Sequence, residues 1–345
     1  MKGYFKRISI FLKDEEKKSW WLIFKEVIQL AWLKKQFPLY YFGRFFYKKG
    51  APLPVDYMNL DQFKSIIYSP KLERKSTSSL LSNKLSFALF CQANSLPSPG
   101  FLGYNLHNSF TFGENFNFLK DQKAFLEFCI MMFDKADVDR IFVKASEAKG
   151  GKGIFLLARN SLSNNYKEIW NTIKEGSYIF QSAIIQHEEL NNIFPNSINT
   201  LRIETYLDKN NVIQILGGYM RFGRGASYVD NVSSGGFFVH IDFNKGILHE
   251  KGFTAMIYGS KTIATHPTTG YLISGFKIPF FQESIELCER FALRIPNRIV
   301  GWDVAITPTG PIIIEGNHDP AIIAGELSYG GYKKHPVFEE IMSEI

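Results

Sequence analysis

Residues 301–307 read Gly-Trp-Asp-Val-Ala-Ile-Thr, and residues 310–317 read Gly-Pro-Ile-Ile-Ile-Glu-Gly-Asn. A Pro-Thr-Gly turn joins these apolar runs, so they predict two antiparallel strands. Glu315 and Asn317 are two residues apart and share one face of their strand, and Asp303 on the partner strand is placed to face them. Two carboxylates and an amide oxygen form the hard-oxygen set that Mg²⁺ prefers. The hairpin therefore predicts a metal site; the alternative is an ordinary hairpin with polar positions.

The composition indicates a globular protein with a basic N-terminal end. The 345 residues are 45% hydrophobic, which is enough for a substantial core and two or three subdomains. The whole chain holds 40 Lys/Arg and 33 Asp/Glu, a net charge of +7. Residues 1–50 hold 12 Lys/Arg and 4 Asp/Glu (net +8), and the other 295 hold 28 and 29 (net −1). The basic excess therefore belongs to the first 50 residues.

The cysteines and the apolar runs indicate a cytoplasmic location. Cys91, Cys129 and Cys288 are widely spaced in apolar surroundings, so we expect reduced core residues and no zinc site. The sequence predicts no signal peptide, and the apolar run 20–33 contains Lys25 and is too short to cross a bilayer. The expected location is the cytoplasm, extended to the inner membrane surface if the N-terminal region contacts lipid.

The basic N-terminal region is also rich in aromatic residues. Trp21, Phe24, Ile28 and Trp32 recur at helical spacing and predict an amphipathic helix. The favoured interpretation is a helical pair docked on the body by its aromatic face. The alternative is a peripheral contact between residues 1–50 and an anionic membrane or glycan. No nucleic-acid motif accompanies the pattern, so no nucleic-acid partner is expected.

Two lysines and a glycine-rich turn are candidates for phosphate binding. Lys84 opens an apolar helix, where its charge opposes the helix dipole, so it is either a phosphate ligand or a surface lysine. Lys144 lies in the apolar strand 141–146 and needs an anionic partner if buried. The turn Lys149-Gly150-Gly151-Lys152-Gly153 offers backbone N–H groups and two lysines to a triphosphate. Its spacing is not that of a Walker A loop, and the alternative is a flexible basic hairpin tip.

Further candidate residues lie between the turn and the C-terminal hairpin. The apolar strand 178–185 leads into Glu188 and Glu189, an arrangement that suits adenine and ribose recognition but also describes a charged loop after a strand. Strands are predicted at 199–207 and 212–222, and a polar glycine loop at 230–236 either approaches a ligand or simply turns. Three arginines suit carboxylate or phosphate recognition, with salt bridges as the alternative: Arg202, Arg221 and Arg224.

The order of these elements resembles the ATP-grasp superfamily over residues 83–320. The second half more closely resembles the sugar-transfer-associated ATP-grasp proteins of polysaccharide biosynthesis. The stretches that carry this likeness are 199–202, 229–236, 266–270, 301–303 and 314–317. The resemblance implies an α+β ATP-grasp fold, in which two α+β subdomains clasp ATP between antiparallel sheets, with a helical N-terminal extension.

The resemblance also implies a division of the chain and a role for each matching residue. The expected segments are an N-terminal region at 1–75, a central segment at 76–135, a small lid subdomain at 136–190 and a large subdomain at 191–345. In the expected site, the ATP phosphates are held by Lys84 and Lys144 and covered by Lys149, Gly150, Gly151, Lys152 and Gly153. Adenine faces Gln181, Ser182, Ala183 and Ile184, and ribose is bound by Glu188, with Glu189 as alternative. Two Mg²⁺ ions, with Mn²⁺ as another candidate, are bound by Asp303, Glu315 and Asn317, and the transferred phosphoryl group is contacted by Arg202, with Arg221 and Arg224 as alternates.

The chemistry implied by the resemblance is that of a carboxylate–amine ligase. ATP converts a carboxylate to an acyl-phosphate, which an amine or amino acid then attacks; Mg²⁺, Lys and Arg suit such phosphoryl transfer. The carboxylate substrate is expected to be a uronic-acid glycan or sugar nucleotide of a capsule or O-antigen. The alternatives are a kinase on the same fold or a non-catalytic nucleotide- or glycan-binding module. The first 80 residues depart from the usual family domain, which indicates an altered substrate domain.

Overall fold

The computed structural model describes residues 2–148, 150, 152–259 and 261–345. A helical region precedes the first strand, and some of its helices begin at side-chain caps, including those at Ser19 and Asn83. No helix among the described residues is long and apolar enough to cross a membrane. The helices of this part are α1 (Lys2–Lys13), α2 (Trp20–Lys34), α3 (Leu39–Gly43), α4 (Leu60–Ile67), α5 (Lys75–Ser82) and α6 (Lys84–Ala93).

The first 50 residues pack on the rest of the protein through one side only. A buried cluster joins Ile23 and Leu30 of α2 to Tyr41, Phe45 and neighbouring rings, and it reaches the body at Met256. The opposite side of α2, which we call the α2 stripe, is exposed and consists of Trp21, Phe24, Ile28 and Trp32.

The helix expected from the α2 stripe is present, but the favoured interpretation of its surface is wrong. Trp21 is 73% exposed and Trp32 is 82% exposed, so this face does not dock on the body. The reason is that Ile23 and Leu30 fill the interface from the other side of the helix, where Lys34 Nζ also donates to the carbonyl of Tyr57. A hydrophobic period identifies a helix, but here two apolar faces compete for burial.

The first antiparallel sheet has the strand order β3-β2-β1-β6-β4-β5. Phe110, Phe128, Trp170 and Phe180 pack in its core between the strands and two helices. Its elements are β1 (Phe101–Leu106), β2 (Ser109–Phe112), β3 (Asn115–Phe118), α7 (Gln122–Ala136), β4 (Arg140–Ala145), β5 (Ile154–Ala158), α8 (Leu162–Ile173) and β6 (Ser177–Ser182). Because β1 hydrogen-bonds to β6, the boundary expected at residues 135–136 falls inside this sheet.

The second antiparallel sheet has the strand order β10-β9-β8-β7-β11-β12. After α9 (Glu188–Ile193), its elements are β7 (Leu201–Leu207), β8 (Ile213–Phe222), β9 (Phe237–Asp242), β10 (Ile247–Thr254), α10 (Phe281–Arg294), β11 (Ile299–Thr307), β12 (Gly310–Asn317), α11 (Ile323–Tyr329) and α12 (Phe338–Glu344). Short 3₁₀ turns lie at Arg159–Ser161, Val232–Ser234, Met256–Tyr258 and Tyr332–Lys334. The expected C-terminal hairpin corresponds to β11 and β12.

The two faces of the second sheet differ in polarity because side chains alternate along each strand. One face is apolar: Ile203, Met220 and Trp302 are fully buried in the same core as Phe291 of α10. The other face carries a line of polar residues that are register partners on neighbouring strands. This polar row consists of Glu315, Asp303, Arg202, Tyr219 and His240 on β12, β11, β7, β8 and β9.

The structure therefore confirms the expected fold class, with two α+β units built on antiparallel sheets and a helical N-terminal extension. The three cysteines are free and buried. The second sheet contains the hairpins β7–β8, β9–β10 and β11–β12, and the register between neighbouring strands aligns the polar row.

Candidate active site

A cleft between the two sheets holds many of the candidate ATP and metal residues. We call the side formed by the first sheet and its turn the lid wall, and the side formed by the second sheet the body wall. The cleft has a volume of about 150 Å³. Its lining includes Lys84, Lys144, Gly150, Lys152, Gln181, Ser182, Ile184, Thr200, Arg221, Asp230, Asp303 and Glu315. Residues far apart in sequence are thus brought to one place by the packing of the sheets.

Lys84 connects the two walls of the cleft. Asn83 caps α6 by accepting from the Ser86 N–H at 3.0 Å, which places Lys84 in the first turn. Its ammonium donates to the carbonyl of Ala148 at 2.6 Å and lies 3.9 Å from a carboxylate oxygen of Glu315. A cation at this point faces both the lid turn and the acids of the hairpin.

Lys144 supplies a cation from strand β4 on the lid wall. Its ammonium donates to Gln181 Oε1 at 3.0 Å, a neutral partner on the neighbouring strand. Burial lowers the pKa of Lys144 to about 8, while the charge of Glu315 acts in the opposite direction. An anionic ligand here would stabilise the charged ammonium.

The glycine-rich turn covers the same end of the cleft. Gly150 and Lys152 line it, and Gly150 and Gly153 adopt positive φ values of 70° and 63°. The carbonyl of Gly153 accepts from the Ala145 N–H at 2.9 Å, which anchors the turn to β4. Lys149 and Gly151 lie outside the described residues.

Asp303 is the centre of a buried charge network on the body wall. Arg202 Nε donates to Asp303 Oδ1 at 2.5 Å, and Arg221 Nη2 lies 2.9 Å from Asp303 Oδ2 as an ion pair. Burial alone would raise the pKa of Asp303, but the two guanidinium groups outweigh it and lower the pKa to about 2. Burial and the nearby Asp303 charge raise the pKa of Glu315. Adjacent carboxylates of this kind are stabilised by a cation between them.

The donor chemistry of the hairpin fits Mg²⁺, with one condition. Glu315 and Asn317 lie on one face of β12, where Asn317 Nδ2 contacts Glu315 Oε1 at 3.4 Å. Both oxygens of Asp303 already contact arginines, so Asp303 would join a metal only by giving up one guanidinium contact. Within the described part of the chain, no cluster of three or more His, Cys, Asp or Glu forms a metal site. A mixed site completed by phosphate oxygens is consistent with this.

Several expected site residues lie away from the cleft lining in the described structure. The expected residues that do not line it include Gly153, Ala183, Glu188, Glu189, Arg202 and Asn317. Glu188 and Glu189 are exposed in the first turn of α9. Arg224 lies over the ring of Tyr258, 5.7 Å from its centroid, rather than beside Asp303. The ribose role of Glu188 stays a prediction, and of the three arginines Arg202 and Arg221 contact Asp303.

Thr200 and Asp230 also line the cleft, although no sequence pattern predicts a role for either residue. Asp230 Oδ2 accepts from the Thr200 N–H at 2.9 Å and lies 3.4 Å from Arg221 Nε. Arg221 also donates to Thr200 Oγ1, at 2.8 Å from Nε. These residues fix the arginine that contacts Asp303. The only sequence feature that pointed to Asp230 was the polar glycine loop at 230–236, which is equally typical of a loop that approaches a ligand and of a simple turn.

The fold and cleft, with lysines on the lid wall and acids on the body wall, define an ATP-grasp protein. The model of the "Sugar-transfer associated ATP-grasp" family matches residues 64–335, and the chain belongs to that family. No curated protein matches the chain by sequence.

Three solved structures illustrate the distant likeness of the fold. D-alanyl-alanine synthetase A from Vibrio cholerae has 13% identity and a TM-score of 0.48, covering 79% of this chain and 66% of its own. The ATP-grasp ligase PsnB with a minimal precursor has 13% identity and a TM-score of 0.41, covering 78% and 62%. The ADP complex of N5-carboxyaminoimidazole ribonucleotide synthetase has 10% identity and a TM-score of 0.40, covering 70% and 46%. The chain thus spans less than two thirds of each matched protein.

Proposed function

We propose that the protein is an ATP- and Mg²⁺-dependent carboxylate–amine ligase that joins an amine or amino acid to a sugar acid in surface-polysaccharide synthesis. The observation that carries the proposal is the common cleft, in which Lys84 and Lys144 face Asp303 and Glu315. A triphosphate between them would meet the ammonium groups of Lys84 and Lys144 on one side and the carboxylate oxygens of the body wall on the other. The sugar part of the proposal is supported by the description of the family alone.

The proposed reaction has two steps. A carboxylate oxygen of the sugar acid attacks the γ-phosphorus of ATP, the bond to the β-phosphate oxygen breaks, and ADP leaves an acyl-phosphate. The amine then attacks the carbonyl carbon, phosphate leaves, and the amide nitrogen loses a proton to solvent. Bound Mg²⁺ would neutralise phosphate oxygens. Lys84, Lys144 and Arg221 would hold the oxygens of the transferred group, and Arg202 would keep Asp303 oriented.

The small cleft volume implies that the walls separate before nucleotide enters. The volume of about 150 Å³ is below the ~300–1,000 Å³ common for ligand pockets. Lys84 bridges the walls through Ala148 and Glu315, so opening would break these contacts. Triphosphate oxygens would replace them, which couples closure to binding.

A turnover assay tests the proposal. The full-length protein is incubated with MgATP, glucuronic acid or trigalacturonic acid, and a panel of amino acids. We expect release of ADP and phosphate that depends on both the acid and the amine. ADP with a stable phosphoproduct and no need for an amine would instead identify a kinase. Release of AMP, or binding of MgATP without turnover across a broad panel of carboxylates, would contradict the ligase.

The same proposal includes contact between residues 1–50 and an anionic membrane surface. The α2 stripe is exposed on a region with 12 Lys/Arg and 4 Asp/Glu, and Lys25 and Lys35 on α2 and at its end are exposed as well. Exposed Trp and Phe beside lysines suit the interface of an anionic bilayer. Phe37 and Leu39 extend the apolar surface beyond the helix.

Vesicle flotation tests this contact. The protein should float with phosphatidylglycerol vesicles and not with pure phosphatidylcholine vesicles, and Trp21→Ala/Trp32→Ala should abolish flotation. Phe116→Ala/Phe118→Ala removes two exposed rings from β3 and serves as the control. Failure of the wild type to float would contradict the contact. Loss of a dimer in the tryptophan variant, seen by light scattering, would indicate a second copy as the partner instead.

A further inference from the structure

A second, larger cavity lies between the N-terminal region and the polar face of the second sheet. Its volume is about 950 Å³, near the upper end of the ~300–1,000 Å³ typical of ligand pockets. Residues 43–52 form one side, β8, β9 and β10 form the opposite side, and α11 closes one end. A free amino acid would fill only part of this space.

The cavity adjoins the reacting end of the intersheet cleft. Tyr219 lines the cavity and is the register partner of Arg202, whose Nε contacts Asp303. On the loop after β8, Val232 lines the cavity and the preceding Asn231 lines the cleft. The polar row therefore runs without interruption from the metal-binding oxygens to the cavity wall at His240.

The walls of the cavity combine aromatic rings with cations. Phe45 of the N-terminal region stacks on Phe253 of β10 with centroids 6.5 Å apart, and Phe253 lies 5.9 Å from the Phe238 ring. His240 stacks on Phe253 at 5.1 Å. Such rings suit the apolar faces of sugars, while their edges leave room for polar groups.

Two cations of the lining are available to a ligand. Arg44 is paired with Glu326 at 2.5 Å, and Lys48 with Glu16 at 2.6 Å. In contrast, no carboxylate among the described residues lies within ion-pair distance of the ammonium groups of Lys49 and Lys251, which also line the cavity. Lys49 Nζ makes a long contact of 3.5 Å to the carbonyl of Glu15, which lines the cavity together with Glu16. An anionic ligand would supply the missing partners.

His240 adds an unsatisfied polar atom. Its Nε2 is buried and has no hydrogen-bond partner within the described part of the chain. Burial next to His249 lowers the pKa of His240 to about 3, so the ring is neutral at physiological pH. A hydroxyl group that reaches this ring would satisfy the nitrogen.

We propose that this cavity binds the sugar-acid substrate as an oligosaccharide of uronic acids, so that residues 43–52 of the N-terminal extension form part of the substrate site. The inference rests on the proposed function, since the cavity ends where the acyl-phosphate would form. Aromatic rings hold the sugars, Lys49 and Lys251 pair with carboxylates of non-reacting units, and the terminal carboxylate passes Tyr219 toward the γ-phosphate. The amine enters last and attacks the activated end.

Binding measurements on the full-length protein test this assignment. The probe is trigalacturonic acid with Mg·AMP-PNP present, and maltotriose is the uncharged comparison. We expect trigalacturonic acid to bind at least tenfold more tightly than maltotriose. Lys251→Glu should weaken its binding about tenfold or more. The control is Lys245→Glu, which alters another exposed lysine, in a turn of the second sheet that lies outside the cavity.

A second variant blocks the cavity without altering charge. Ala324→Trp adds a large ring to the cavity wall on α11 and should abolish trigalacturonate binding. Ala93→Trp adds the same ring at an exposed end of α6 as control. Mg·AMP-PNP affinity should stay within twofold in all four variants.

The outcomes separate this inference from the proposed function. Trigalacturonate binding that is unchanged in Lys251→Glu and Ala324→Trp overturns the cavity assignment and leaves the ligase standing. Failure of the wild type to bind trigalacturonate while it binds Mg·AMP-PNP also overturns it. A wild type that binds no Mg·AMP-PNP contradicts the proposed function itself. Loss of amino-acid binding in Ala324→Trp, with trigalacturonate binding kept, would assign the cavity to the amine.

Discussion

On the body wall of the cleft, Asp303 lies between the guanidinium groups of Arg202 and Arg221, whereas on the lid wall the ammonium of Lys144 contacts the neutral amide of Gln181. The body wall is thus internally paired before any ligand arrives, and the lid wall holds a cation whose charge burial disfavours. This difference in pairing suggests that the two walls have different roles in nucleotide binding. The body wall is preorganised, and the lid wall gains its charge partner from the nucleotide.

The largest effect is expected from Asp303→Asn on the body wall. It removes the charge between two buried guanidinium groups, which should cost about 3–5 kcal/mol in the free energy of unfolding. Substrate-dependent ADP release should fall by about 10³-fold or more, because metal and phosphate positions are lost together. Urea unfolding and a coupled ADP assay measure the two effects.

A control for this variant is Asp242→Asn, which breaks an ion pair to the exposed Lys245 at 3.5 Å. Its cost should stay below about 1 kcal/mol. Activity that survives in Asp303→Asn would show that Asp303 does not bind the metal and that the paired body wall is not needed for turnover.

The next effect concerns Glu204, two residues beyond Arg202 on β7. Burial raises its pKa to about 7 from an ordinary 4.5, with Tyr332, Arg202 and Glu326 as the neighbouring ionisable groups. The native state therefore binds a proton more tightly than the unfolded state, so stability should fall as pH rises through the interval from 4.5 to about 7 and then level off. The full change is at most about 3 kcal/mol.

Glu204→Gln provides the comparison, because the amide keeps the shape without the titration. Urea unfolding from pH 5 to pH 8 should show wild type losing stability relative to the variant as pH rises. Parallel pH profiles would show that Glu204 ionises normally and that the body wall is less well shielded from solvent than its burial indicates.

A smaller effect is expected from Lys144→Met on the lid wall. The affinity for Mg·AMP-PNP should fall about 10- to 100-fold, as for loss of a charge-assisted contact to phosphate. Stability should change by less than about 1 kcal/mol, because the lost partner is a neutral amide. Calorimetry and urea unfolding test both, with Lys123→Met on the exposed side of α7 as control. A large loss of stability in Lys144→Met would show that the lid wall, like the body wall, depends on its charged residue for folding.

The smallest effect is expected at the exposed start of α9. If Glu188 binds ribose, Glu188→Ala should weaken ATP binding about 3- to 10-fold and leave binding of 2′,3′-dideoxy-ATP unchanged. Glu189→Ala is the matched control one residue away. Equal losses for both nucleotides would assign the effect to α9 itself rather than to the ribose hydroxyls.

The sequence predicted the hairpin of β11 and β12 because a strand pattern, a turn and the two-residue repeat are local properties. The spacing of Glu315 and Asn317 is enough to put them on one face, whatever the rest of the chain does. The order of such elements carried the resemblance to the ATP-grasp superfamily. In contrast, nothing local indicates that both oxygens of Asp303 are occupied by arginines from β7 and β8.

The N-terminal region shows where sequence patterns fail to predict which surface is buried. The pattern of Trp21, Phe24, Ile28 and Trp32 correctly predicts a helix, but the sequence favoured burial of the face that is in fact exposed. Ile23 and Leu30 compete for the same interface, and only their fit against neighbouring rings decides the outcome.

By itself, then, the sequence determined the strands, the turn chemistry and the candidate ligands, because these depend on neighbours within a few residues. Tertiary structure decided which of those ligands share a cleft, which face of α2 meets solvent, and that residues 43–52 wall a cavity beside Tyr219. Such choices depend on packing between segments that are distant in the chain, where the competing arrangements differ by contacts that no local pattern records.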